Sequence, residues 1–143
     1  MIDALTDRLT ARVPDLAGRI DGAAEFADLM QTKRLPASGV RAYVLPLGLA
    51  GLAADAATGV FRQSVRRAIA VVLLTRSVDA AGERALSRLA PLVDEIVGAV
   101  AGWAPGDETG VFELSRANII PTDSGLLGYQ VEFTIEDQLR ITP

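Results

Sequence analysis

The stretch LLGYQVEFTIEDQLRI, residues 126–141, decides the fold. Leu127, Tyr129, Val131, Phe133, Ile135, Leu139 and Ile141 fall at every second position, and only Asp137 breaks the apolar set. Gln130, Glu132, Thr134, Glu136, Gln138 and Arg140 fill the alternate positions. Side chains on a strand point to opposite faces in turn, so this pattern predicts a strand with one face on a core. The other face is wet, or is held for a partner, with Gln130, Glu132 and Arg140 as its candidate contacts. A typical strand runs about five or six residues, and an open edge much longer than that invites aggregation unless a neighbouring strand or another subunit covers it.

Working outward, VFELSRANII (111–120) reads as a second strand, joined to the first by the turn PTDSG (121–125). Val60–Arg76 reads as a long strand. Its part AIAVVLLT (68–75) is apolar on both faces, as in a central strand covered on both sides. The part before it, FRQSVRR (61–67), carries Arg62, Gln63, Arg66 and Arg67, where the strand leaves the core. VRAYVLPL (40–47) is β-branched and aromatic and predicts a further strand, with Pro46 marking an edge or an exit. Between these two lies GLAGLAADAATG (48–59), small apolar residues with three glycines and one charge, Asp55. Alanine favours helix, glycine opposes it, and nothing bulky anchors the segment, which predicts a mobile loop, either one that orders only in an assembly or a passive insertion.

The remaining elements carry helical period. Ile2, Leu5, Leu9 and Val13 share one face, and Pro14 ends that helix. A short strand is expected around Arg19–Ala23, then a helix over Gly22–Met30, then a turn at LPASG (35–39). The main helix is expected over Ala80–Trp103, where Leu86, Leu89, Val93, Ile96, Val100 and Trp103 form a stripe. Pro91 inside it predicts a kink, or two helices. The order of elements lacks the regular alternation of a doubly wound fold. It predicts a single α+β domain over residues 1–143: a mostly antiparallel four- to five-stranded sheet with helices packed chiefly on one face.

The chain has 143 residues, 50% of them hydrophobic, enough for one real core. It contains no cysteine and no histidine, which removes disulfides, the usual zinc, haem and iron–sulfur ligands, and catalysis by histidine-based proton transfer. Its glycine-rich stretches lack the spacing of a phosphate loop. Asp94 and Glu95 are helix neighbours that do not face each other. No catalytic, cofactor-binding or metal-ligating set emerges. The net charge of −4 does not suit a protein that grips phosphate backbones. No apolar run is long enough for a membrane span, and MIDALTDRLT reads as neither signal nor transit peptide. Arg62, Arg66 and Arg67 form the one concentrated basic feature, read as an anchor on an acidic partner surface, as a guide for DNA backbone, or as strand-end charges balanced by Asp and Glu nearby.

GAAEFADLM (22–30), the LP…VRAYVLPLG segment (35–48), FRQ (61–63), AIAVVLLTR (68–76), GERALSRLAPLVDEIVGAVAGWAP (82–105) and YQVEFTIEDQLR (129–140) together resemble the tail terminator, or tail completion, proteins of long-tailed bacteriophages. The resemblance spans nearly the whole chain. It implies a structural virion protein with no chemistry, catalytic residues or cofactor. It implies a ring, typically a hexamer, at the head-proximal end of the tail, assembled in the host cytoplasm. Its expected partners are further copies of itself, the tail tube protein and the head–tail connector or neck protein. Genomic DNA would pass through the ring without sequence-specific binding, and no membrane is involved. The interface expectation covers Asp55, Arg62, Gln63, Arg66, Arg67, Gln130, Glu132 and Arg140.

Three other readings stand beside this one. A related neck or tail-completion protein would share the fold. A small-molecule-binding regulatory domain would need a deep apolar pocket with convergent polar groups. A nucleic-acid module would need a continuous basic face.

Overall fold

The structure, a computed structural model, describes residues 1–32, 34, 39–57, 59–77, 83–106, 110–120 and 125–142. Helix α1 spans Ile2–Arg12 and is followed by a 3₁₀ turn, Pro14–Leu16. Strand β1 is Ile20–Asp21, α2 is Ala23–Thr32, β2 is Arg41–Ala57 and β3 is Val60–Arg76. Helix α3 is Glu83–Val100, β4 is Glu113–Ile120 and β5 is Leu126–Ile141. The strands form one sheet in the order β1-β2-β3-β5-β4. The β1–β2 pair is parallel and the other three pairs are antiparallel. The sheet is therefore mostly antiparallel, as expected, but mixed; the one parallel pair arises because α2 carries the chain back from β1 to start β2 alongside it.

Strands β3 and β5 coincide with the segments expected from alternation. They pair without a break from Phe61↔Ile141 to Arg76↔Leu126. Residues directly opposite share a face, so Ile69, Val71 and Leu73 join Val131, Phe133 and Ile135 in one core with α1 and α3. Leu5, Leu9, Leu89, Ile96 and Val100 come from the helices, and all are fully buried. Ala70, Val72 and Leu74 point the other way, into a second core with Tyr43, Leu126 and Leu29 of α2. The helices thus cover both faces of the sheet, with α1 and α3 on one and the shorter α2 on the other. Central β3 is covered on both sides only over Ile69–Thr75. A full contribution of about 1.5–3 kcal/mol per buried large side chain applies to that half alone.

The largest departure from expectation is residues 48–59. Gly48–Ala57 is the far half of β2, paired with β3 from Gly48↔Ala68 to Ala57↔Val60, so the segment is a strand rather than a loop. Small residues carry little strand preference of their own, and here the ladder of β3 supplies it. Two irregularities, between Pro46 and Gly48 and between Gly51 and Ala54, break the pleat. At the second, Gln63 Nε2 donates to the Leu52 carbonyl at 3.1 Å and fills the space over Gly51.

Helix α3 runs through Pro91 as one helix and not two. Of the expected turns, only Gly39 and Gly125 are described, both with positive φ (87° and 74°). The rest of LPASG and PTDSG, and residues 80–82 of the expected helix start, lie outside the described residues. Past α3 a stack ties helices to sheet. The Arg8 guanidinium lies 5.2 Å over the Trp103 ring, and its Nε donates to the Ala99 carbonyl at 2.9 Å. Trp103 stacks on Phe112, which meets the edge of Phe133.

Gly110 marks where the chain crosses to begin β4. A Cβ there would lie 2.6 Å from the Glu136 carbonyl oxygen, whereas one at Gly48 meets open space. Gly110→Ala is expected to cost about 1–3 kcal/mol by overpacking, and Gly48→Ala less than about 0.5 kcal/mol. Urea denaturation of the two variants checks this, and equal midpoints would contradict the close approach.

Candidate functional site

Alternation divides the arginine group. On β3, Arg62 and Arg66 share the α2 face of the sheet, and Arg67 points to the α1/α3 face. The expected cluster is therefore two surfaces. α2 covers only the Tyr43 end of its face, and beyond it the strands present a bare polar ladder. Asp55, Arg62 and Arg140 stand in one row across β2, β3 and β5. Beyond the Ser64–Gln138 row, Arg66 faces Glu136, and its Nη2 donates to Glu136 Oε1 at 2.6 Å. Further along, Arg116 Nε donates to Glu132 Oε2 at 3.1 Å, with Gln130 opposite Asn118. Arg140 Nε donates to Gln138 Oε1 at 3.0 Å. Of the eight residues expected at an interface, Asp55, Arg62, Arg66, Gln130, Glu132 and Arg140 share this face. Gln63 is spent inside the β2–β3 hairpin, and Arg67 lies on the other side. Exposed pairs of this kind contribute about 0–1 kcal/mol each, so the ladder is a polar surface more than a source of stability.

Among the described residues, the sheet also has two bare edges. β1 flanks β2 only at Ala42 and Tyr43, so β2 is open from Leu45 onward. β4 is the opposite edge. Every large apolar side chain exposed among the described residues lies along these edges, except Ile141 at the far end of β5. They are Leu47 and Leu49 on β2, Leu114 and Ile119 on β4, and Val111 just before it. Sequence reasoning missed them because it placed 47–49 at a strand exit and loop. The signal for Leu114 and Ile119 was present in VFELSRANII, but which strand lies outermost is not written in local sequence.

A cleft of 410 Å³ lies between α2 and the start of β2, lined by Asp21, Glu25, Asp28, Arg34, Arg41 and Tyr43 among others. Arg41 Nη2 donates to Asp21 Oδ2 at 2.5 Å, and Arg41 Nε is buried without a partner. Tyr43 is buried against Phe26, ring centroids 5.4 Å apart. Burial raises the Tyr43 pKa from its ordinary 10.0, partly offset by the Arg41 guanidinium. The cleft is lined mostly by charged side chains, with Arg41 and Asp21 paired to each other, unlike a deep apolar pocket with a few convergent polar groups. Among the described residues no group of acidic side chains is arranged to hold a metal ion, and no helix is long and apolar enough to cross a membrane.

Three comparisons bear on this arrangement. The family described as "Phage tail terminator protein" matches residues 2–143. No curated protein matches the chain in sequence. Among solved structures, a chain from the "Virion of native gene transfer agent (GTA) particle" superposes with a TM-score of 0.60, covering 97% of this chain and 95% of that one at 13% identity. At that identity the likeness concerns the fold.

The Tyr43 environment gives a pH dependence. The folded phenol keeps its proton above 10.0, where an unfolded tyrosine loses it. The stability this confers is complete below that pH and is lost as the pH rises through the folded value. Wild type is expected to lose more stability than Tyr43→Phe between about pH 9 and about pH 11. Parallel denaturant titrations check this, and equal losses would contradict it.

Proposed function

Because the chain belongs to the phage tail terminator protein family, a structural family of the phage tail, we propose that it forms a ring, of six copies, that caps the head-proximal end of the tail tube. The ring ends tube polymerisation and makes the joint to the head–tail connector. One feature carries this reading beyond family membership: a single sheet with two bare, apolar-studded edges that differ from each other. Such a molecule is suited to heterologous contacts, in which one subunit's surface meets a different surface of the next, and heterologous contacts that close make rings.

The mechanism is geometric. One face of the ring matches the last tube ring, and the opposite face offers nothing on which another tube subunit can add. The paired charges of the polar ladder and the net charge of −4 give a passing phosphate backbone little to hold. The polar ladder supplies contacts to neighbours: Asp55, Arg62, Arg66, Gln130, Glu132 and Arg140, with Arg67 on the reverse side. The partners are further copies, the tube protein and the connector, and the site of action is the virion.

Light scattering and negative-stain imaging of the chain, alone and with purified tail tubes, test the ring. Closed rings with a central hole are expected, and a chain that stays monomeric in both settings would overturn the reading. Arg66→Glu/Arg67→Glu is expected to keep a wild-type circular dichroism spectrum, since Arg66 is 46% exposed, and to weaken joining to the tube. Undiminished joining would remove both arginines from the interface.

A further inference from the structure

The two bare edges match along a single row. Cα partners place Pro46, Ile69, Phe133 and Leu114 in one line across β2, β3, β5 and β4. Ile69 and Phe133 belong to the core under α1 and α3, so Leu114 projects on that same face. At the β2 end of this row lies a groove of 280 Å³ between the start of α1 and the strands, lined by Met1, Ile2, Pro46, Leu49, Arg67 and Ile69 among others. At the β4 end Leu114 stands 45% exposed on a strand with no outer neighbour among the described residues. One edge carries a hole and the other a knob, at the same height and on the same face. A second row repeats the match: Ile20, Ala42, Leu73, Tyr129 and Ile119. Ile119 is 47% exposed at its outer end, and Ile20 lies at the other.

We propose that copies of this chain join edge to edge and head to tail, with Leu114 of one copy seated in the Pro46–Leu49 groove of the next and Ile119 beside its Ile20. β4 runs antiparallel to β5, and β1 and β2 run parallel to β5. At the junction β4 therefore lies antiparallel to β2 of the next copy, and the contact is made by side chains. The occupant of the groove is a second copy because both halves of the contact are present in one chain at matching height. A two-fold contact between β4 edges would set Leu114 on Leu114 and leave the groove unfilled. This deepens the ring reading and rests on it, since it names the surfaces through which the ring closes.

The chain has no cysteine, so introduced thiols are unique. Leu49→Cys/Leu114→Cys, treated with a short bis-maleimide in solution and on tail tubes, is expected to give a ladder of covalent multimers. Each single variant is expected to stay monomeric on a denaturing gel. Leu114→Glu is expected to lower the assembled fraction about tenfold or more with an unchanged circular dichroism spectrum, while Ile141→Glu, off both rows, leaves assembly intact. Covalent dimers from Leu114→Cys alone would overturn the head-to-tail contact in favour of a two-fold one. Rings that form without a ladder and tolerate Leu114→Glu would overturn the edge assignment and leave the ring standing. Wild-type chain that never forms rings, even on tubes, would overturn both.

Discussion

The unbroken register between β3 and β5 is the constraint on which the rest of the molecule depends. From Phe61↔Ile141 to Arg76↔Leu126 no bulge shifts the pairing. A slip of one residue would turn every side chain of one strand to the wrong face. With the register held, β5 delivers Val131, Phe133 and Ile135 to the helices and its glutamates to the opposite face. β3 does the same with Ile69, Val71 and Leu73. The groove and the exposed leucine that face each other across the sheet stand level only because these two long strands keep step between them.

Much of this was legible in the residues. Strands β3 and β5 were written in alternation and in an apolar run, and their bounds agree with the structure. The stripe on α3 and the stop at Pro14 were equally plain. The far half of β2 was not, because Gly48–Ala57 has no strand-forming side chains and takes its conformation from the partner across the hairpin. The parallel β1–β2 pair was hidden for a related reason: a two-residue strand leaves no periodicity to read. The arginine group was visible, but its members were gathered by proximity in sequence. Alternation sends Arg67 to the face opposite Arg62 and Arg66. The edges were least legible of all, since strand order is settled by long-range pairing and no local pattern encodes it.

The interior is built for shape more than reactivity. Thr75, the one fully buried polar side chain among the described residues, donates to the Gly39 carbonyl at 3.2 Å and accepts from Arg88 at 3.1 Å. Arg41 is turned toward Asp21 and Tyr43. Arg8 is shared between a helix end and an indole face. Such cations fix how helices sit on a sheet, which is what a part that must fit its neighbours requires.

Pro46 and the two interruptions in β2 carry a consequence for how this protein avoids becoming amyloid. A long hairpin with an uncovered outer strand is the kind of template on which identical chains stack without limit. Here the outer strand has no N–H at position 46 and changes pleat again after Gly51. No incoming strand can run along it in register for more than a few residues. Adhesion must then come from side chains that fit, which favours one partner in one pose over an endless fibril.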